Sequence, residues 1–422
     1  MSITARPPEA IDDLADQRLC VISSDAHVGP TSQQLRPYCP SKLVGDFDSF
    51  YARAAELGQA PTAGNAQTAE HREQMLAHVA TSGEHDPHQR LRDMDRDGVS
   101  ADVIFHGSQN LNPLPFGYGG RGDRVQEAEG IQIYNRWLAE FCSVQPERHV
   151  GLAQLPGWDP DACTKTAEWA RDAGIGGVNL PTLHLDDLTW PSYTEAVWEP
   201  FWSTCESLEI PLVNHGAADL NLYRDLGPGR YALVLADGPW LARRVTWWLI
   251  FGGVFERHPG LTFVITEQPG EWPKYEIDYL QTVYESGAQH EMRKSIRRSP
   301  REIFRTNIYV GASFMSHGEA KMFVELGIDD RALWGSDYPH IEGTWPWTLQ
   351  SLHQTFEGIP IDSVRRMLSG NAADAYGFSL EKLRPIADRI GPRADVVLGG
   401  PLVHPTPELR YSLAFRNSGA WS

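Results

Sequence analysis

The sequence predicts an α/β fold: a (β/α)₈ TIM barrel with long catalytic-face insertions and an irregular C-terminal tail. Two observations lead there. About eight short apolar runs alternate along the chain with segments of helical periodicity. Several of those runs are nearly continuous in Val, Ile, Leu and Phe, as expected of parallel strands covered on both faces. The alternative, an open doubly wound sheet, would carry a glycine-rich strand-to-helix turn. No G-x-G-x-x-G directly follows any of the expected strands.

In chain order the expected strands are Leu19–Asp25, Asp102–Gly107, Val150–Leu155, Gly177–Pro181, Ile210–His215, Leu261–Glu267, Asn307–Ala312 and Ala332–Asp337. The expected helices between and after them are Pro87–Asp97, Gln126–Val144, Asp161–Ala173, Tyr193–Leu208, Pro239–Arg257, Pro273–Ser286, Gly318–Leu326 and Ile361–Ala375. The barrel domain is expected over residues 18–378. Two connections are too long for ordinary loops: residues 28–86 after the first strand, and Gly216–Gly238 after the fifth. Both leave the C-terminal ends of strands, so they are expected to be lids or pocket walls. Residues 379–422, with Pro385, Pro392, Pro401, Pro405 and Pro407, form an extension expected to wrap the barrel or a partner subunit.

Bulk properties exclude several functions. At 422 residues and 41% hydrophobic, the chain can bury a large core. A net charge of −18 disfavours nucleic acid and anionic membranes. No apolar stretch approaches the roughly 20 residues that span a bilayer. The first residues are polar and acidic, so a cytoplasmic location is expected. Cys20, Cys39, Cys142, Cys163 and Cys205 are dispersed without a C-x-x-C pair, which suggests reduced structural thiols.

The expected strand ends gather chemistry-bearing residues. Strand one supplies Asp25 and His27, which share a face because side chains alternate along a strand. Strand two supplies His106, strand five His215, strand six Glu267 and strand eight Asp337. Buried without a cation, these carboxylates and imidazoles would be strongly unfavourable together. Asp25, His27, His215, Glu267 and Asp337 are therefore expected to hold a metal, with His106 assisting. His340, three residues beyond Asp337, is expected to orient Asp337 or the substrate. Glu271 could cap the next helix or act in the site.

The same residues carry a resemblance. Asp25-x-His27, His215, Arg257-His258-Pro259-x-Leu261, Trp334-Gly335-Ser336-Asp337-Tyr338-Pro339-His340 and Gly370-Asn371-Ala372 resemble the amidohydrolase-related (amidohydrolase-2) family, which includes aminocarboxymuconate semialdehyde decarboxylase-like enzymes. The resemblance runs from about Cys20 to about Phe378. It implies a metal-dependent TIM barrel whose ligands map onto Asp25, His27, His215 and Asp337. Family decarboxylases and hydrolases usually carry a histidine at the end of the sixth strand, where this chain has Glu267. That variant resembles a branch containing a nonheme diiron monooxygenase of platensimycin and platencin biosynthesis, a secondary-metabolic pathway, and the branch is thought to act largely on coenzyme A-linked substrates. Mixed carboxylate and imidazole ligands with open positions suit iron.

The leading expectation is therefore a nonheme iron monooxygenase, with two irons. Dioxygen and a bulky apolar small molecule, possibly a terpenoid or acyl CoA thioester, would be its substrates. In the alternative it is a zinc- or manganese-dependent hydrolase or decarboxylase, with Glu267 as base. A third expectation is a binding barrel with a structural metal. Trp158, Trp345 and Trp347 are expected at the catalytic rim, where they could line an apolar pocket. The run Arg293, Lys294, Arg297, Arg298, Arg301 and Arg305 leads into the start of the seventh strand and is expected to be a solvated face. Arg36, Arg121, Arg124 and Arg224 leave catalytic-end loops and are better phosphate candidates. An extension that wraps a partner subunit would make the protein a homo-oligomer.

Overall fold

The computed structural model describes residues 14, 16–58, 80–108, 110, 112–117, 122–182, 189–216, 229–400, 413–416 and 418–419. Its centre is a ring of eight strands: β1 Ile22–Val28, β2 Ala101–His106, β3 His149–Gln154, β4 Gly177–Asn179, β5 Leu212–His215, β6 Phe263–Thr266, β7 Ile308–Ser313 and β8 Ala332–Gly335. They pair in sequence order, every pair parallel. Between β8 and β1 the ring closes beyond the end of β8. There Asp337 N–H donates to Asp25 O (2.9 Å) and His27 N–H to Tyr338 O (2.6 Å). The fold is thus a (β/α)₈ barrel.

The apolar runs sort by parity into two layers. Val103, Phe105, Leu152, Val213, Val264 and Leu333 form the inner cluster. Ile104, Ala153, Val178, Leu212, Phe263, Ile265 and Trp334 belong to the outer cluster shared with the helices. Ala372, Tyr376, Phe378 and Leu383 join the inner cluster beside Ile22, Ala101 and Tyr309, residues at or near the start of their strands. The segment after β8 therefore plugs the barrel at its N-terminal pole and leaves the opposite mouth for chemistry.

Local signals set the helix starts. Asp86 accepts from the N–H groups of His88 and Gln89 ahead of Pro87, and Gly98 ends that helix in the left-handed region, so it spans Pro87–Asp97. Asp159 caps Pro160–Asp172 in the same way. Capping boxes at Ser299/Glu302 and Ser316/Glu319 open Pro300–Thr306 and His317–Glu325.

Some elements differ from the sequence reading. The expected helix Tyr193–Leu208 narrows to Glu199–Ser207 after a 3₁₀ turn. The one expected at Pro239 starts at Arg230 and carries Pro239 in its interior, so part of the expected loop 216–238 is helical. The connection after β1 holds a helix, Val44–Gly58, whose Phe47 and Phe50 pack on Phe116 after β2. Instead of being irregular throughout, the C-terminal extension forms helices Leu380–Ile390 and Ala394–Val397, the first opened by a Ser379 cap and carrying Pro385 in its interior. Pro401, Pro405 and Pro407 lie outside the described residues, as do parts of both long connections. No helix among the described residues is long and apolar enough to cross a membrane. All five cysteines are free thiols.

Candidate metal centre

Five of the expected residues converge at the mouth. Asp25 and His27 lie within β1, Asp25 inside a register shift between Ser23 and Ala26 and His27 just past it. His215 ends β5. Glu267 and Asp337 lie just past β6 and β8 with φ of 49° and 57°. That left-handed conformation is unfavourable for residues with a Cβ, and strain of this kind collects at functional sites. Two glycines make room for the convergence. A Cβ on Gly335 would sit 2.8 Å from the Asp25 Cβ, and one on Gly216 would sit 2.2 Å from the Glu267 carbonyl.

The donor atoms form a tight set. His27 Nε2 lies 3.3 Å from His215 Nε2, 3.3 Å from Asp25 Oδ1 and 3.2 Å from Asp337 Oδ1. His215 Nε2 lies 3.6 Å from Asp25 Oδ1 and 2.8 Å from Glu267 Oε2. With bonds near 2.1 Å, the edge of a tetrahedron is about 3.4 Å and that of an octahedron about 3.0 Å. The observed spacings match the edges of such a shell. Asp25 Oδ1 and Asp337 Oδ2 are buried and have no hydrogen-bond partner, although buried carboxylate oxygens are ordinarily satisfied. The residues therefore fit a divalent cation bound by Asp25, His27, His215 and Glu267, with Asp337 beside it.

Neighbouring groups hold these ligands. Ser313 Oγ donates to Asp25 Oδ2. Ser23 Oγ donates to the Asp25 carbonyl (2.7 Å). The buried Arg90 donates to the His27 carbonyl (2.8 Å) and to Asp102 (2.7 Å). His340 Nδ1 contacts Asp337 Oδ1 (2.7 Å), and its ring lies 4.1 Å from that of His27. His340 is thus placed to orient Asp337.

Charge dominates the electrostatics. Burial opposes ionisation of His215, but the Glu267 and Asp25 carboxylates outweigh it and raise the ring well above its ordinary range. His340 is likewise raised, against burial, to about 10 by Asp337. Burial opposes Asp337 too, yet the His340 charge holds its carboxyl below the ordinary range. Carboxylates this close demand positive charge, and a cation offered to the same imidazole nitrogens would supply it instead of protons.

The structure does not bring His106 into this set. His106 ends β2, but the inward parity of that strand belongs to Phe105, whose ring lies 4.8 Å from that of His215. His106 instead meets Tyr134 edge-on at 5.0 Å, on the helix Arg124–Ser143, and burial, with the His27 charge, lowers it to about 4. Expecting the last residue of a strand to face the axis fails when the strand ends on the other parity. Glu342, absent from the sequence reading, forms a further group with Glu267 and Asp337. Burial, helped by the Asp337 charge, raises it to about 7. The only sequence signal for Glu342 is its place two residues after His340.

The expected surroundings are mixed. Trp345 is buried and packs against Tyr338 and Ala26. Trp158, with Arg124 over its ring at 5.7 Å, lines a groove of about 680 Å³ between the helices Arg124–Ser143 and Pro160–Asp172. Arg36 pairs with Asp48 (2.8 Å), which leaves little for a phosphate. Arg121 and Arg224 lie outside the described residues. The basic run is engaged locally: Arg301 with Asp278 and Arg305 with the Gly327 carbonyl. Glu271 makes no side-chain cap; it accepts from Gly419 N–H (3.2 Å).

Known proteins agree with this picture. Gamma-resorcylate decarboxylase from Rhizobium sp. (strain MTP-10005) is 25% identical over 268 residues, 59% of this chain and 76% of the relative. The 2-amino-3-carboxymuconate-6-semialdehyde decarboxylase of Dictyostelium discoideum is 24% identical over 305 residues, 70% and 78% of the two chains. Among solved structures, 5-carboxyvanillate decarboxylase from Sphingomonas paucimobilis superposes with a TM-score of 0.59 at 18% identity, over 86% of this chain and all of the other. A dihydroxybenzoic acid decarboxylase from Polaromonas sp. JS666, solved with bound manganese and 2-nitroresorcinol, gives 0.57 at 17% identity, over 85% and 97%. The amidohydrolase family profile matches residues 24–378, and this chain, with its barrel and its mouth of carboxylates and imidazoles, belongs to the amidohydrolase family.

Proposed function

We propose that this chain is a metal-dependent decarboxylase or hydrolase whose substrate is a small carboxylate, aromatic or dienoic, with zinc or manganese at the mouth. The observation that carries this reading is the convergence of Asp25, His27, His215 and Glu267 at shell-like spacings, with Asp337 in contact with His27. The relatives named above, all decarboxylases, support it. A divalent cation there would polarise a substrate oxygen and offset its negative charge.

The chain's own residues do the rest. Phe105 and the two imidazoles give one wall against which a flat ring can lie. Glu267 is placed to move the proton, because its side chain keeps 16% exposure while Asp25 and Asp337 are fully buried. In decarboxylation the carbon–carboxylate bond breaks, CO₂ leaves, and the electron pair left on carbon takes that proton. In hydrolysis the same carboxylate accepts a proton from the attacking water.

A second reading keeps the iron monooxygenase, with two irons, dioxygen and a bulky CoA-linked substrate. One observation favours it: Glu267, Asp337 and Glu342 form another donor group beside the first, more carboxylate than a single ion of four ligands requires. Elemental analysis of the purified protein, paired with anaerobic assays on hydroxybenzoate-type carboxylates, separates the two. One zinc or manganese with oxygen-independent CO₂ release is the expected result. Two irons with oxygen consumption on acyl-CoA substrates would replace it with the second reading. If Asp337→Ala lowered stability and no turnover existed to lose, the site would be structural.

A further inference from the structure

Near the C-terminus a buried arginine ties three catalytic-face segments together. Arg416 is 5% exposed. Its guanidinium donates to the Phe314 carbonyl, just past β7, and to Glu319, and it lies 5.0 Å over the Phe314 ring. Glu319 is itself 1% exposed and serves as a hub. One of its oxygens takes Ser316 N–H and Ser316 Oγ (2.7 Å each), completing the capping box of the helix His317–Glu325. The other takes Gly270 N–H at 2.6 Å. Gly270 lies three residues after Glu267, in the turn that carries the candidate ligand. The tail holds that turn a second time, since Gly419 N–H donates to Glu271. The tail is itself anchored: Ser351 Oγ donates to the Ala414 carbonyl (2.9 Å) and Gln354 Nε2 to the Phe415 carbonyl (2.7 Å).

This arrangement exceeds what packing needs. Both Glu267 and Phe314 hold left-handed backbone, with φ of 49° and 43°, so two adjacent strand-end turns are strained and both are clamped by the same side chains. A ligand on a strained turn keeps its aim only if surrounding groups fix it. A buried ion pair is a weak source of net stability, because desolvation of the two charges offsets their attraction. Its directional hydrogen bonds nonetheless fix geometry.

We propose that Arg416 is a positioning residue for the metal centre, acting through Glu319 and Gly270 to hold Glu267 at bonding distance. It rests on the reading of Glu267 as a ligand. The tail thereby becomes part of the active-site machinery, although it never touches the donor atoms.

The test measures metal affinity directly, by Mn²⁺ binding against a competing chelator, on the full-length protein. Arg416→Met is expected to weaken Mn²⁺ binding on the order of tenfold or more, the range typical of groups that orient ligands. Asn307→Ala removes a buried side chain at the opposite pole, where Asn307 donates to the Pro259 and Leu261 carbonyls, and serves as the control for a general loss of stability. It is expected to bind Mn²⁺ as the wild type does. Arg416→Lys keeps the buried charge but cannot reach Glu319 and the Phe314 carbonyl together, so an intermediate loss is expected, and it serves if Arg416→Met does not fold. Wild-type affinity in Arg416→Met, or in Arg416→Lys in its place, overturns the proposal while Glu267→Gln still weakens binding. Wild-type affinity in Glu267→Gln overturns both the ligand reading and the proposal built on it.

Discussion

Asp102 and Asp337 are the same residue type, almost equally buried, yet they are satisfied in different ways. Asp102 on β2 has both oxygens engaged, by Arg90 Nε at 2.7 Å and His149 Nδ1 at 2.8 Å. Its counter-charge is built into the chain. Asp337 shares the mouth with Asp25, Glu267 and Glu342, and its Oδ2 has no hydrogen-bond partner. There the neighbours are imidazoles: His27 Nε2 lies 3.2 Å and His340 Nδ1 2.7 Å from Asp337 Oδ1. A cluster that completes itself is built for stability. One that gathers carboxylates around imidazoles fits a cation, in line with the proposed metal centre.

The comparison breaks most readily at Asp337. With Asp337→Ala, no metal is expected to co-purify and no turnover should rise above background; elemental analysis and the CO₂ assay check both. Retention of a full metal complement would remove Asp337 from the site.

Next in size is Arg90→Leu. It strands Asp102 in the interior and frees the His27 carbonyl, so urea unfolding should show a loss of about 3–5 kcal/mol. A much smaller loss would mean that Asp102 does not depend on its internal partner.

Metal itself should stabilise the folded state by about 2.7 kcal/mol at a hundredfold excess over Kd, read as a rise in Tm on adding Mn²⁺ and a fall with chelator. The rise should vanish in Asp337→Ala and persist in Asp102→Asn.

The smallest effect is at acid pH. Burial would raise the Asp102 carboxyl, but the Arg90 and His149 charges outweigh it and hold it at about 2, below its ordinary 3.8. A depressed carboxyl contributes stability above its unfolded value and loses it as pH falls through the folded value. Asp102 should therefore account for on the order of 2 kcal/mol, lost between about pH 4 and pH 2. Asp102→Asn should flatten that part of the stability profile; an unchanged profile would show that other groups set the acid limit.

Much of this contrast is visible in the sequence, though not evenly. Apolar runs such as Phe263–Thr266 and Ala332–Gly335 are legible because a parallel strand covered on both faces must be apolar throughout. That same uniformity hides which parity faces the axis. Asp25 and His27 share a face whichever way the strand turns, whereas choosing His106 over Phe105 needs the ring of strands to be closed first. Glu342 and Arg416 could not be read either. One lies on an irregular turn after β8 and the other in a tail whose contacts with Phe314 and Glu319 are set by no periodicity.

What the sequence determined by itself is the alternation of strand and helix and the identity of the residues at the mouth: Asp25, His27, His215, Glu267 and Asp337. Hydrophobic periodicity and residue chemistry are local properties, written wherever the residue stands. Tertiary structure alone decided the 2.8–3.6 Å spacings around His27 Nε2 and His215 Nε2, the outward turn of His106, and the bonds of Arg416 to Glu319 and the Phe314 carbonyl. Those depend on how eight strands close into a ring, and closure brings together side chains far apart in the chain.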